Sequence, residues 1–476
     1  MPRAPDRATL AELKAVVGPG GWLEGAAEVA PYVVDFRGLY HGATPLVLCP
    51  SEVDQVAGIL ALCRRDRIAV VPCGGNTSYC GGATPDESNT QIVLALRRLN
   101  RVRSVDPANA SMIVEAGVTL AEAQAAACAA ERLFPLSLGS EGTAQIGGNL
   151  STNAGGTAVL RYGMMRDLVL GLEVVLPDGR VMSELKGLRK DNTGYDLKSL
   201  FIGAEGTLGV ITAACLKLFP QPAESATAIA GVDSPKAALA LLGVLRTMTG
   251  DALTTFELMP RNAVELTVRH VPGVANPLDV GTPWFVLIEV ATYHPQLPAG
   301  TLLGSSLEEA AAADALRDAV LASSIAQSQA MWKLRESIPE AQRRHGGSLK
   351  HDISVPVAAL PAFIEQGAAL VAQQVPEGEL IAYGHLGDGN LHFNVSQRPG
   401  SDAQSFRDRG PALEAAIYDL VQRFGGSFSA EHGIGRLKVG ELERRTDPVE
   451  LDLMRTVKRA LDPDGLMNPG KVLRAG

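Results

Sequence analysis

The sequence predicts an α+β protein of more than one domain, and three observations carry that expectation. At 476 residues the chain exceeds what one hydrophobic core ordinarily organises. Its 50 glycines, about half again the usual share, gather in three loops that each adjoin a strand-like run. After residue 220 the composition shifts, and helix-like and strand-like segments alternate as in an antiparallel sheet flanked by helices.

The first loop, "VVPCGGNTSYCGG" (70–82), follows "RIAVVP". The second, "LGSEGTAQIGGNLSTNAGG" (138–156), precedes "LVLGLEVVLPDGRVM", and the third, "FIGAEGTLGVI" (201–211), runs into "GVITAACLKLF". Glycine lets successive backbone N–H groups converge on an anion, usually phosphate. One such loop alone reads as a tight turn. Three on one framework, each with Asn, Ser or Thr, favour an anion site. The Rossmann fingerprint is absent from them. "GLMNPGKV" (465–472) nearly matches a P-loop, but Val472 stands where Ser or Thr has to hold magnesium, so an ATPase is excluded.

The bulk numbers exclude other classes. A net charge of −9 offers no footprint for nucleic acid or an anionic membrane. "MPRAPDRATLAELKAVVG" has no apolar signal-peptide core, and no apolar run approaches the roughly 18 residues that span a bilayer. Six cysteines without CxxC spacing suggest reduced thiols and a cytoplasmic location.

In the second half, "LKLFPQPAES" (216–225) marks a boundary. "SPKAALALLGVLRTMTG" predicts a helix, "PWFVLIEVATY" a strand, and "SLEEAAAADALRDAVLA" an Ala-rich helix with an acidic first turn. "ELIAYGH" and "NLHFNV" predict two strands. A two-residue Asp388–Gly389 turn would set His385 opposite His392, roughly 4.5–5.5 Å apart at Cβ, close enough to share a metal ion. Leu391, Phe393 and Val395 would enter the core, leaving His392 and Asn394 on the other face. "SAEHGIGR" (429–436) adds Glu431 and His432. Two histidines and a carboxylate are a usual set for zinc or a similar dication; a hydrogen-bonded histidine pair and an ordinary charged turn are the alternatives.

"PCGGNTSYCGG", "IGGNLSTNAGG", "RYGMMRDLVLGLEVVLPDGRV", "DNTGYDLKSLFIGAEGTLGVIT" and "LDPDGLMNPGKVL", in that order, resemble the FAD-dependent 2-hydroxy acid dehydrogenases of the vanillyl-alcohol-oxidase/PCMH superfamily, in the D-lactate and D-2-hydroxyglutarate dehydrogenase branch. The resemblance runs from about residue 40 to the C-terminus. It implies a PCMH-type two-subdomain FAD-binding domain (1–220), a cap or substrate domain (221–425) and a C-terminal segment (426–476) returning to the flavin domain. Pro72, Gly74, Gly75, Asn76, Thr77 and Gly81 would hold the pyrophosphate. Gly139, Ser140, Gly142, Thr143, Gly147, Gly148, Asn149, Ser151, Thr152 and Gly155 would line the rest of the cofactor. Glu205, Gly206 and Gly209, with Ile211, would approach the adenosine side, and Asn468 the ring. Some relatives tether FAD through a histidine in the first loop; this loop has Asn76 and Tyr79 instead, so FAD is expected to be non-covalent.

The resemblance also assigns His385, His392 and Glu431 to a divalent metal, with Zn2+ first and Mn2+ or Fe2+ open. It makes His432 the catalytic base, and Arg335 and Lys350 the grip on a substrate carboxylate, where a planar guanidinium fits bidentately. Asn394 joins them as a candidate substrate residue. The implied reaction oxidises a D-2-hydroxy acid to the 2-keto acid by hydride transfer to flavin N5, with electrons passed to an electron-transfer flavoprotein, quinone or cytochrome; a homodimer is compatible. One residue departs from the pattern: members acting on hydroxyglutarate carry a hydroxyl four positions after the arginine, and this chain has Pro339. A flavoprotein alcohol or sugar oxidase, a metal-dependent hydrolase and a catalytically silent flavin-binding protein are the competing functions.

Overall fold

The computed structural model describes residues 2–278 and 281–474. The chain forms two compact units: Met1–Gly156 with Gly163–Gln221 and Glu431–Gly476, and Thr157–Tyr162 with Pro222–Ala430. The six residues 157–162 are thus borrowed from the first half by the second unit, a crossing that the sequence reading does not separate.

The first unit holds two main sheets beside the two-stranded pair Arg132–Leu133 and Phe219–Pro220. In one, strands Val47–Leu48, Ile92–Ala95 and Val70–Cys73 run parallel, with Trp22–Leu23 antiparallel at the edge. The near-continuous apolar runs of these strands suit a parallel sheet covered by helices. Helix Val53–Asp66 supplies that cover: Val56, Ile59, Leu60 and Cys63 are buried at helical spacing. The other sheet is antiparallel, in the order Val102–Asp106, Ser111–Glu115, Val210–Lys217, Val169–Val175, Val181–Ser183.

The second unit is built on an eight-stranded antiparallel sheet. Its order is Asp318–Leu321, Glu224–Val232, Trp284–Thr292, Leu253–Pro260, Gly378–His385, Asn390–Gln397, Ser348–Leu349, with Asp352–Ser354 also paired to Asn390–Gln397. Side chains alternate between two cores. Ala228, Phe256, Leu258, Ile288, Ala382, Leu391 and Phe393 face helices Pro235–Thr249, Ala299–Ala312, Leu360–Gln374 and Gly410–Arg423. Ile229, Met259, Leu287, Ile381 and Tyr383 face helices Arg261–His270, Ile325–Glu336 and Ile338–His345.

The expected Ala-rich helix is placed too far along the chain. The helix is Ala299–Ala312, with no acidic residue in its first turn, and it ends before Asp314, which adopts a left-handed φ of 55°. "DAVL" then pairs as an edge strand with Glu224–Val232. Alanine's helix preference is weak enough for sheet pairing to override it.

Candidate active site

In the first unit, two glycine loops stack backbone on backbone. A Cβ at Gly75 would lie 2.0 Å from the carbonyl oxygen of Thr143, so no larger residue fits there. A Cβ at Gly74 would lie 3.5 Å from Gln145 Oε1. Asn76, at φ 52°, donates through Nδ2 to the carbonyls of Pro31 and Val34 and fixes the first loop from behind. Ser151 and Thr152, expected to face the cofactor, donate their hydroxyls to the carbonyls of Gly147 and Gly148 at 2.7 and 3.0 Å. Thr143 Oγ1 likewise donates to Ser140, at 3.3 Å.

The same loops and the segments against them carry uncompensated polarity. Gln145 Oε1, Asn149 Nδ2, Thr84 Oγ1 and Asn468 Oδ1 are buried with no hydrogen-bond partner among the described residues. Each such group costs about 1–3 kcal/mol unless something polar meets it. A Cβ at Gly139, Gly142 or Gly148 would meet nothing within 4 Å. A wall of small residues beside orphaned amides fits an extended polar ligand such as FAD. Gly155 is buried, whereas Pro72 and Thr77 are half-buried.

The third loop proves to be a clamp. Glu205, at φ 51°, accepts from the N–H groups of Ile434 and Gly435 at 2.7 and 2.8 Å. Burial pushes its pKa up, against the pull of those two donors. Asn468 Nδ2 donates to the carbonyls of Glu205 and Gly82 at 2.8 and 2.9 Å. Glu205 therefore spends its carboxylate on shaping the segment after Glu431. Gly206 packs on Pro72, Gly209 abuts Val174 and the carbonyl of Val175, and Ile211 is buried opposite Val174. On that shaped segment, His432 stacks on Tyr79 of the first loop, with ring centroids 4.6 Å apart and planes 18° from parallel. Its Nε2 lies 3.8 Å from Glu431 Oε1.

In the second unit, the chemistry gathers on one face of the sheet, under helices Ile325–Glu336 and Ile338–His345. Ser324 caps the first helix by accepting from Gln327 N–H at 3.2 Å, and Met331, Leu334 and Arg335 form its buried face. Pro339 falls in the first turn of the next helix, where a missing N–H costs nothing. Arg335, 6% exposed, donates from Nε and Nη2 to Glu257 Oε2 at 2.7 and 2.6 Å. Its guanidinium carbon sits 4.9 Å from the centre of the Tyr383 ring. Glu257 Oε1 meets His385 Nδ1 at 2.5 Å. Burial alone would push the Glu257 pKa up; the charges and hydrogen bonds of His385 and Arg335 overcome it and hold the carboxyl at about 2. One edge of the Arg335 guanidinium, Nε and Nη2, is thus held by a protein carboxylate.

The hairpin register differs from the expected one. Tyr383, not His385, lies opposite His392, and His385 instead opposes Glu257 on the neighbouring strand. The turn is longer than two residues: Asp388 and Gly389 N–H both bond to the His385 carbonyl, and Gly389, at φ 93°, lies against the Val355 carbonyl. A shift of two residues preserves the side-chain face. His385 and His392 thus remain neighbours, diagonal rather than opposite, with ring centroids 5.7 Å apart. Asp352, on the third strand, pairs in register with His392.

Asn394 is 4% exposed; its Nδ2 donates to Gln342 Oε1 at 3.0 Å and its Oδ1 accepts from His351 N–H at 3.2 Å. Lys350 lies half-buried between strands Ser348–Leu349 and Asp352–Ser354. Sequence reasoning passed over Glu257 and Asp352, and noted Tyr79 only as standing where some relatives carry a histidine. The available signal was a single acidic side chain in the apolar strand "LTTFELMP".

Comparisons with known proteins agree with this architecture. Residues 44–183 match the FAD binding domain family, and residues 221–472 match the family of FAD linked oxidases, C-terminal domain. D-2-hydroxyglutarate dehydrogenase, mitochondrial, of Bos taurus is 40% identical over 466 residues, covering 98% of this chain and 83% of that protein. D-2-hydroxyglutarate dehydrogenase of Stutzerimonas stutzeri (strain A1501) is 33% identical over 470 residues, covering 99% and 100%. The crystal structure of p-cresol methylhydroxylase superposes with a TM-score of 0.77 at 16% identity, over 100% of this chain and 99% of that one, and so shares the fold. With both halves matched and full-length relatives at these identities, the chain belongs to the FAD-linked oxidases, in the branch of the D-2-hydroxyglutarate dehydrogenases.

Proposed function

We propose that the protein oxidises a D-2-hydroxy acid of the hydroxyglutarate or lactate class to its 2-keto acid, using non-covalent FAD and a divalent cation. The observation that carries this reading is the buried Glu257–His385 pair. A carboxylate that takes one ring nitrogen of an imidazole fixes the tautomer and turns the other nitrogen towards a metal, the usual arrangement behind metal-ligating histidines. His385 and His392 would supply imidazole ligands, with Glu431 as the carboxylate. Asp352, in register with His392, is a further oxygen donor in the same unit. Zinc suits this set best; manganese or iron would also fit.

When bound, FAD supplies a hydride acceptor and the cation supplies a charge that acidifies a nearby hydroxyl. The remaining work falls to the chain. His432 takes the hydroxyl proton on an imidazole nitrogen. Lys350 and Arg335 orient the substrate carboxylate, with Arg335 held rigid by Glu257. The glycine loops and the amides of Gln145, Asn149 and Asn468 hold the cofactor. Electrons then leave to an electron-transfer flavoprotein, quinone or cytochrome. Pro339 offers no hydroxyl for a second carboxylate, so short hydroxy acids belong in the test beside hydroxyglutarate.

The experiment is dye-linked turnover of the yellow, purified protein with the D and L forms of 2-hydroxyglutarate and lactate. Formation of the matching 2-keto acid from a D form is expected. Reaction only with simple alcohols or sugars would replace this reading with that of an oxidase.

A further inference from the structure

We propose that Tyr79 is a positioning residue that sets the plane of the His432 imidazole. The inference rests on His432 being the base of the proposed reaction.

The two rings lie nearly parallel, 18° apart, with centroids 4.6 Å apart, in an offset-stacking range rather than in incidental contact. Tyr79 is itself fixed from behind, because Phe36 meets it edge-on with ring centroids 5.6 Å apart and planes at 68°. The order Phe36–Tyr79–His432 is therefore a ladder of rings. Both ends are anchored by backbone. The Phe36 turn closes on Asp35, whose carboxylate accepts from the N–H groups of Arg37 and Tyr40 at 3.0 and 2.6 Å. Asn76 ties the Tyr79 loop to the carbonyl of Val34 at 2.8 Å. The His432 segment is held by Glu205 through Ile434 and Gly435. Cys80, the neighbour of Tyr79, accepts at its carbonyl from Arg436 N–H at 2.9 Å.

A histidine side chain can turn about χ1 and χ2, and Gly433, next in sequence, offers the His432 ring no side chain. A flat ring pressed against one face restricts that rotation and so fixes the plane of the imidazole. Misplacing a reacting group by about 1 Å can cost on the order of 10²-fold in rate. The Tyr79 hydroxyl is not part of this argument; the flat ring is.

The test compares Tyr79→Leu, Tyr79→Phe, Phe36→Ala and His432→Ala in the flavin-loaded full-length protein. Tyr79→Leu should lower kcat by about 10-fold or more with little change in KM, and Tyr79→Phe should restore it to within about 2-fold. In proton–carbon NMR of the eight histidines, the ring protons of His432 should be shifted upfield by the stacked ring, keep that shift in Tyr79→Phe and lose it in Tyr79→Leu. Phe36→Ala, at a 62% exposed position that folding tolerates, should weaken the shift and lower kcat by a few-fold. Wild-type kcat and an unshifted His432 signal in Tyr79→Leu would overturn the inference, as would a Tyr79→Phe variant as slow as Tyr79→Leu. If His432→Ala itself turned over at the wild-type rate, the base assignment would fail and the inference with it. A slow His432→Ala beside a fast Tyr79→Leu would sink the inference alone.

Discussion

Two polar regions of this molecule solve opposite problems. On the sheet of the second unit, every charge of the Glu257–Arg335–His385 group is met by another protein group, at 2.5 to 2.7 Å. In the first unit, Gln145 and Asn149 of the second glycine loop and Asn468 of the C-terminal segment each bury an atom that no described residue meets. The first region is finished by folding; the second is finished by its ligand. The contrast suits a flavoenzyme. A site that performs proton and carboxylate chemistry benefits from side chains locked in advance, whereas a cofactor cradle has to keep donors and acceptors in reserve.

The largest effect should come from breaking the finished region. Glu257→Ala leaves a buried arginine uncompensated, and removing one partner of a buried ion pair costs roughly 3–5 kcal/mol. Chemical denaturation should show a loss of that size, together with lost turnover. A loss below about 1 kcal/mol would mean that water reaches the pair and that the region is not closed.

Next comes the unfinished region. If Asn149 serves FAD, Asn149→Ala should weaken flavin retention while leaving the stability of the apoprotein unchanged or slightly higher, since it removes an orphaned amide. Unfolding midpoints of the holo and apo forms would read both effects. A variant that destabilised the apo form would show that the amide has a protein partner instead.

A third kind of group sharpens the comparison through its pH dependence. Lys471 is 3% exposed, and burial, aided by the nearby Arg436 charge, lowers its pKa from 10.5 to about 7. The folded state then binds fewer protons than the unfolded state between pH of about 7 and 10.5, so this group makes stability rise with pH across that window. Lys471→Met removes the term. It should unfold later than wild type below pH of about 7, with the gap narrowing towards pH of about 10. A gap independent of pH would contradict the burial of a neutral amine.

These regions differed in how readily the sequence announced them. Glycine clusters and histidines are rare enough in combination that "GGNTSYCGG" and "GHLGDGNLHFN" stood out directly as loops and as candidate ligands. The alternation of Leu391, Phe393 and Val395 with His392 and Asn394 also gave the correct faces. The hairpin register escaped because the turn chemistry of "HLGDG" admits both a two-residue and a longer loop, and the choice is made by Val355 packing against Gly389. Glu257 escaped because one glutamate in a strand reads as solvent-facing. The helices packed on that face, among them the one carrying Arg335 78 residues further on, turn it into an interior.

The central claim is that a D-2-hydroxy acid reduces the flavin of this protein with help from a cation. The direct measurement is anaerobic stopped-flow absorbance of the flavin band on mixing with D-2-hydroxyglutarate or D-lactate, before chelation, after chelation, and after zinc is returned. The account predicts rapid bleaching by a D form, little by the L form, near-complete loss of the fast phase after chelation and its recovery with zinc. Bleaching that ignored the chelator, or no bleaching by any 2-hydroxy acid, would contradict it.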